Sequence, residues 1–251
     1  MDEKARIGIV VALREERLAI EGAVRSLDEA LWARVLVLQG GLGGAMAGEA
    51  ARKLLDRAAK LKLLVSCGFS GGLVEPLGVG GVVLGSFVLA RPSLEQSAKN
   101  DAVLDCSAEL RAKTSKALSS AEIAFREGRL VTLGQPVLRP EEKRSLGKVA
   151  QADAVDMESA AVGRIAREKQ IGFLALRTIS DAVNDELPPE VAKFLDEKGR
   201  VRAGRVLSFV FRGPGNVKEL WRLKSRSDRA AAALRDAVQV ALPIWLESLS
   251  D

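Results

Sequence analysis

Two acidic side chains, Glu158 and Asp181, lie at the two ends of one helix–strand unit that the sequence predicts. Residues 154–161 predict a short strand leading into a helix whose first turn carries Asp156 and Glu158, and residues 173–181 predict an apolar strand ending at Asp181. In open α/β sheets, ligands bind outside the carboxyl ends of the strands. Both carboxylates are therefore expected to face one crevice, where they can carry out acid–base chemistry.

Each carboxylate also has a purely structural interpretation. Acidic residues in a first helical turn, such as Asp156 and Glu158, complement the helix dipole by about 0.3–1 kcal/mol, whereas a functional Glu158 accepts hydrogen bonds from a vicinal diol. Asp181 either caps a turn or acts as a general acid whose pKa is raised by shielding from water. Glu16, just past the first strand, is either a solvated helix residue or a base that activates water.

Two glycine-rich segments and one arginine extend this candidate site. Residues 40–44 (GGLGG) and 67–72 (CGFSGG) follow the second and third predicted strands. Glycine there lets the backbone approach a ligand, although the dinucleotide spacing Gly-x-Gly-x-x-Gly is absent. They are either plain turns or the floor of a site for a flat or phosphorylated ligand. Arg177, inside an apolar strand, needs a carboxylate or a bound phosphate as its partner. Gly41, Gly43, Gly68 and Phe69 are the candidate binding residues in these segments.

The composition excludes several catalytic classes. The chain has no histidine and no tyrosine, which rules out a Ser-His-Asp or Cys-His nucleophile system and a His-ligated metal centre. Cys67 and Cys106 lack paired spacing, so we expect free thiols in a reducing cytoplasm and no metal site. Proton transfer must then come from carboxylates, Lys, Cys or water.

The order of apolar segments predicts an α/β fold. We expect a single domain with a twisted, mostly parallel or mixed central sheet flanked by helices, followed by a helical C-terminal extension. Residues 1–190 would form the α/β domain and residues 191–251 a basic amphipathic extension, interrupted at 213–215 and at Pro243. The start of the chain reads as a strand and not as a cleavable signal, and no apolar run reaches membrane-spanning length. The predicted strands cover 7–13, 33–39, 61–66, 81–90 and 129–133, with a surface insertion that has helical parts at 91–128 and a helix at 140–150.

Four motifs together resemble the nucleoside phosphorylase and nucleosidase superfamily. They are residues 7–16 (IGIVVALREE), 66–73 (SCGFSGGL), 155–161 (VDMESAA) and 176–181 (LRTISD). The resemblance covers about residues 6–187, and the nearer branch is that of the methylthioadenosine/S-adenosylhomocysteine nucleosidases.

The resemblance implies a role for each candidate. Asp181 matches the acid that hydrogen-bonds or protonates the purine imidazole nitrogen, and Glu158 matches the carboxylate that holds the ribose 2′ and 3′ hydroxyls. Met157 matches the side chain that packs against the sugar, and Glu16 the residue that positions the attacking water. Ser180 and Arg177 match neighbours that support the acid. No metal or redox cofactor is implied, phosphate is the alternative to water as co-substrate, and the protein is expected to be a homodimer or higher homo-oligomer.

Other features depart from that branch. Residues 134–137 (GQPV) replace the Gly-Asp-x-Phe piece near the base, which places Val137 there, and the region after Ala90 lacks the usual His and Tyr. These departures and the continuation from Pro188 to Arg202 are similar to the bacterial hopanoid-associated phosphorylase-like proteins. That group is associated with removal of adenine from an adenosyl-hopane lipid precursor.

The charge is concentrated in the tail. The net charge is +5, but residues 198–229 carry ten Lys or Arg against two acidic residues, a net charge of +8, so the remainder is near −3. One interpretation is a basic, partly apolar surface that lies on an anionic membrane, with the protein at the inner face of the cytoplasmic membrane. The other is an amphipathic helix packed on the core with a solvated basic face.

The sequence thus predicts an enzyme that cleaves the N-glycosidic bond of a purine nucleoside by water or phosphate. The substrate would carry a substituent on the ribose 5′ carbon, and the similarity to the hopanoid-associated group implies a hopanoid lipid there. The alternative is a catalytically silent nucleoside-binding or membrane-associated scaffold protein, which the intact pair of Glu158 and Asp181 disfavours. No nucleic-acid partner is expected, because the spacing of Trp221 and the neighbouring Phe residues suits a packed helix better than a stacking platform.

Overall fold

The computed structural model describes residues 4–91, 93, 102–190 and 214–249, with side chains described from residue 217 in the last range. These residues form an eight-stranded sheet covered by helices. In chain order the elements are β1 Ile7–Val11, α1 Arg14–Arg25, α2 Glu29–Trp32, β2 Val35–Gln39, α3 Gly44–Arg57, β3 Leu63–Gly72, β4 Val82–Ala90, β5 Ala102–Asp105, α4 Ala108–Ser120, β6 Phe125–Thr132, α5 Pro140–Ala150, β7 Ala154–Asp156, α6 Ser159–Glu168, β8 Gly172–Asp181 and α7 Pro214–Ser248.

The sheet is mixed, as the sequence predicted. Its strand order is β2-β1-β3-β7-β6-β4-β5, and β8 pairs with both β3 and β4. The pairs β1–β2, β1–β3, β3–β8, β4–β6 and β6–β7 are parallel, whereas β3–β7, β4–β5 and β4–β8 are antiparallel. The prediction of an α/β fold with a mostly parallel or mixed sheet is therefore confirmed.

The central strands are apolar because they are buried on both faces. β1 is buried at every position, and Leu63, Leu64 and Val65 of β3 have no exposed surface. Helices α1, α3 and α6 cover the sheet with amphipathic faces whose buried residues are mainly alanine and other small or aliphatic side chains. This core fixes the strand ends that carry the candidate residues.

Helix α7 packs into the same core. It contacts α1, α4 and β8, and its Leu242 and Trp245 are completely buried. The prediction of an interruption at Pro243 is wrong: α7 continues through it. A proline removes one helical hydrogen bond, but here Pro243 and Gln239, whose carbonyl loses its donor, both face solvent, and burial of the flanking side chains holds the helix together.

Three further predictions about local structure are corrected. The described part of residues 91–128 has the predicted helical part, α4, but is not a surface insertion: β5 joins the sheet, α4 buries Leu118 in the core, and Thr114 accepts a hydrogen bond from Trp245 Nε1 at 2.8 Å. The glycine-bearing segment 67–72 is not a turn but the second half of β3. Asp156 ends β7 and Glu158 precedes α6, so neither lies inside the first helical turn.

Candidate active site

An open cavity lies where the carboxyl ends of β1, β3, β7 and β8 meet. β7 pairs with the last residues of β3, and β8 pairs with β3 along almost its whole length, so these strand ends are brought together. Four carboxyl side chains line the cavity, and within the described residues no Lys or Arg side chain lines it. Seven predicted site residues line it: Glu16, Phe69, Val137, Met157, Glu158, Ser180 and Asp181. The other four, Gly41, Gly43, Gly68 and Arg177, lie outside the lining.

Asp181 ends β8 beside an irregular step in the sheet. The register between β3 and β8 shifts after Ser70, and Gly71 lies opposite Asp181. Ser180 is therefore the extra residue of a β-bulge, a device that re-aims side chains beside active sites. The Ser180 hydroxyl donates to Asp181 Oδ1 at 2.8 Å. Asp181 is 6% exposed, and burial raises the pKa of its carboxyl because desolvation disfavours the charged form.

A lysine that the sequence interpretation missed is paired with Asp181. Lys143 of α5 is completely buried, and its Nζ lies 2.5 Å from Asp181 Oδ2. It also donates to the carbonyl oxygens of Ala182 (3.1 Å) and Asp185 (2.8 Å), so all three N–H donors of the ammonium have acceptors. Its charge opposes the rise in the pKa of Asp181. The sequence signal was its place three residues before Leu146, on the buried face of an amphipathic helix.

Glu158 immediately precedes α6 and reaches across to the loop before α3. Its Oε1 accepts a hydrogen bond from the Gly43 N–H at 2.8 Å. Gly43 has a φ of +86°, a conformation that favours glycine, so this residue supports the site through its backbone. Burial raises the pKa of Glu158 to about 7; Arg177 opposes this rise and Asp156 adds to it.

Glu16 lies in the first turn of α1 and is 2% exposed. Its Oε2 accepts the backbone N–H groups of Ala12 (2.7 Å) and Leu13 (2.9 Å), and its Oε1 accepts that of Phe69 (2.7 Å). Burial raises the pKa of this carboxyl. β3 can pass so close only because residue 68 is glycine: a Cβ on Gly68 would lie 2.6 Å from Glu16 Oε1.

Arg177 lies behind the cavity wall and is 1% exposed. Its Nε is 2.8 Å from Asp156 Oδ2, and its Nη2 donates to the hydroxyls of Ser66 (2.6 Å) and Ser159 (2.8 Å). Its Nη1 is 4.0 Å from Glu158 Oε2. The guanidinium therefore has the carboxylate partner that the sequence analysis required, and its charge acts on the acids without facing the cavity.

The remaining wall is mostly apolar. Phe69, Met157 and Val137 line it as predicted, and Leu187 is an addition that no sequence motif indicated. Ser70 is also an addition: its buried hydroxyl lines the cavity and has no hydrogen-bond partner within the described part of the chain. Apolar walls with a few converging polar groups are typical of sites for small ligands.

This arrangement suits the breaking of a bond to a leaving group that needs a proton. A buried carboxyl with a raised pKa can remain protonated and act as a general acid. Carboxylates on the opposite side can stabilise a developing positive charge and orient water, as in glycoside hydrolysis. Among the described residues, no group of three or more His, Cys, Asp or Glu side chains is arranged to hold a metal ion.

Comparison with known proteins agrees with this chemistry. A sequence profile of the phosphorylase superfamily matches residues 31–211. The 5′-methylthioadenosine/S-adenosylhomocysteine nucleosidase of Listeria monocytogenes serotype 4b is 26% identical over 231 residues, covering 81% of this chain and 98% of the relative.

Solved structures share the fold. The 5′-methylthioadenosine/S-adenosylhomocysteine nucleosidase of Colwellia psychrerythraea, in complex with adenine, superposes with a TM-score of 0.71 at 18% identity, covering 96% of each chain. The futalosine hydrolase of Helicobacter pylori superposes with a TM-score of 0.68 at 18% identity, covering 94% of this chain and 97% of that one. The profile match confirms, at the level of the superfamily, the resemblance read from the sequence motifs.

Proposed function

Because the chain belongs to the phosphorylase superfamily, we propose that it is a purine nucleosidase that cleaves the N-glycosidic bond with water. The observation that carries this proposal is one cavity that brings Asp181, Glu158 and Glu16 together at the strand ends. The similarity to nucleosidases supports it.

In the proposed reaction, Asp181 gives a proton to the imidazole nitrogen of the purine, which makes the base a better leaving group. Glu158 holds the ribose 2′ and 3′ hydroxyls. Hydrogen bonds from a diol favour the ionised carboxylate, so substrate binding would lower the pKa of Glu158 from about 7. Met157 and Val137 supply apolar surface around sugar and base.

The charge of the cavity favours water over phosphate. A phosphate ion would enter a space lined by four carboxyl groups, and no described Lys or Arg side chain lines it to offset their charge. Arg177 is engaged with Asp156 behind the wall. Glu16, by contrast, is fixed by three backbone N–H groups at an edge of the cavity, where it can accept the proton of an attacking water.

The test is base release from a panel of adenosine, inosine, methylthioadenosine and an adenosyl lipid, each with and without phosphate. We expect free base and a free pentose at a rate that phosphate does not change, with Asp181→Asn as the inactive control. A pentose 1-phosphate product would make the protein a phosphorylase. No release from any member, at pH 5 to 8, would refute the nucleosidase proposal and favour a binding protein.

We further propose that the substrate carries a lipid-like 5′ substituent, supported by the exposed end of α7. Val217 and Trp221 lie four residues apart on this helix and are 48% and 76% exposed. Lys218 and Arg222 follow them in the sequence. An apolar face beside basic residues suits the surface of an anionic membrane. The basic residues before 214 lie outside the described part of the chain, and none of the described helices is long and apolar enough to span a membrane.

Membrane contact is tested by cosedimentation with vesicles that contain anionic lipid. We expect salt-sensitive binding that Trp221→Ala weakens, whereas Trp32→Ala, at another exposed tryptophan, leaves it unchanged. Equal binding by both variants, or none at low ionic strength, would contradict the membrane surface. The proposed homo-oligomer is checked by light scattering on the same protein.

A further inference from the structure

A fully buried ammonium adjoins the proposed acid, and the reaction as written above assigns it no role. Lys143 has no exposed surface, and its Nζ lies 2.5 Å from Asp181 Oδ2. Resting on the proposed nucleosidase function, we propose that Lys143 is a positioning residue: its ammonium fixes Asp181 and stabilises the carboxylate that Asp181 becomes as its proton passes to the leaving purine.

The two oxygens of Asp181 have different partners, so one oxygen can anchor the side chain while the other takes part in proton transfer. Oδ2 is taken by Lys143, and Oδ1 accepts from the Ser180 hydroxyl at 2.8 Å. Because all three donors of Lys143 are already used, the ammonium has none left for a ligand. It acts on the reaction only through Asp181, and Oδ1 is the oxygen available to the base.

The surroundings keep the ammonium in this position. The loop after β8 supplies two carbonyl acceptors, from Ala182 and Asp185. The Asp185 carboxylate accepts the Ala182 N–H at 2.8 Å and pairs with Arg226 of α7 at 2.5 Å. The charged groups around the ammonium are therefore two acids, Asp181 and Asp185, and two bases, Lys143 and Arg226. Their formal charges sum to zero when all four are ionised.

The proton and electron movements follow from this geometry. As the C1′–N9 bond breaks, its electron pair moves into the purine, and the proton of Asp181 moves to the ring nitrogen. Water adds to C1′ and gives a proton to Glu16. Lys143 keeps its proton throughout. A newly formed buried carboxylate without a cation is strongly disfavoured, so the neighbouring ammonium makes Asp181 the stronger acid.

The test compares Lys143→Met with Lys148→Met, a control at an exposed lysine on the same helix. Without the charge of Lys143, which opposes the effect of burial, the pKa of Asp181 should rise further, because nothing then offsets desolvation of the carboxylate. Protonated Asp181 then persists to higher pH but is a weaker acid. We expect kcat at the optimum to fall roughly tenfold or more, and the alkaline limb of kcat/KM to move upward; Lys148→Met changes neither.

A second measurement needs no substrate and does not depend on whether a variant folds. In the wild-type protein with ¹³C-labelled Asp and ¹⁵N-labelled Lys, the Asp181 carboxyl and the Lys143 Nζ signals should change over the same pH interval. A Lys143 Nζ signal that stays unchanged while the Asp181 carboxyl is protonated, or a Lys143→Met variant that loses activity equally at every pH, would overturn the proposal. If no nucleoside is cleaved, the two NMR signals still show whether Asp181 and Lys143 interact, so failure of the function and failure of this inference are distinguished.

Discussion

Replacing Asp181 with Asn removes the only carboxylate that pairs directly with Lys143 among the described residues, and keeps the shape of the side chain. Removing one partner of a buried ion pair costs about 3–5 kcal/mol, because the other charge remains buried. Lys143 retains two carbonyl acceptors, so we expect the lower end, about 3 kcal/mol. That is a large part of a typical unfolding free energy of about 5–15 kcal/mol.

Adding Lys143→Met to Asp181→Asn removes the stranded charge, and a neutral pair of similar volume is often as stable as the ion pair. The double variant should therefore be more stable than Asp181→Asn, although it is inactive and leaves the carbonyls of Ala182 and Asp185 without the Lys143 donor. The assay is urea unfolding at pH 7 with linear extrapolation, with Lys148→Met as the surface control. A loss under about 1 kcal/mol for Asp181→Asn, or a double variant less stable than that single variant, would refute the reasoning.

Three further predictions concern the other carboxylates and one glycine. The pKa of Glu158 is raised from 4.5 to about 7, so between these pH values the folded state binds a proton that the unfolded state has released, and stability falls as pH rises from 4.5 to 7. Glu158→Gln should flatten this dependence of the unfolding free energy on pH. An unchanged dependence would contradict the raised pKa. Glu16→Gln should lower the hydrolysis rate by about 10²–10⁴ with little change in KM, whereas an equal rate would exclude Glu16 as the water base. Gly68→Ala places a Cβ 2.6 Å from Glu16 Oε1 and 2.7 Å from Arg177 Nη1. The hydrolysis rate should therefore fall, and the free energy of unfolding should drop by about 1–3 kcal/mol. Gly78→Ala, with no atom within 4 Å of its Cβ, should match the wild type in the same two assays.

The three reactive carboxylates were predictable because their positions depend on local patterns. Asp181 is the last residue of an apolar strand, and Glu158 and Glu16 lie within five residues after the ends of two others. Strand ends in such sheets meet at one edge. Lys143 was not found because its partner is 38 residues away in sequence, and no spacing rule links a helix position to a strand end across another helix and strand. The one indication in the sequence was that a lysine occupies the apolar face of a helix.

The errors in local structure have the same origin. Residues 67–72 read as a turn because glycine weakens a strand, yet pairing with β8 and β7 holds them extended. Pro243 read as a break because prolines end isolated helices, yet burial of Leu242 and Trp245 outweighs one lost hydrogen bond. In both cases contacts with distant elements decided the structure, and a single sequence does not show them.

The contacts of α7 limit where this chain can be shortened. Thr178 of β8 donates its hydroxyl to the Ala230 carbonyl of α7 at 3.0 Å, and Arg226 holds Asp185 beside the Lys143 ammonium. A protein truncated before α7 would uncover the apolar faces of α1 and α4 and release the loop that shapes the acid. Expression of the first 190 residues alone should therefore yield aggregation-prone material, and fusion partners or tags belong outside this last helix.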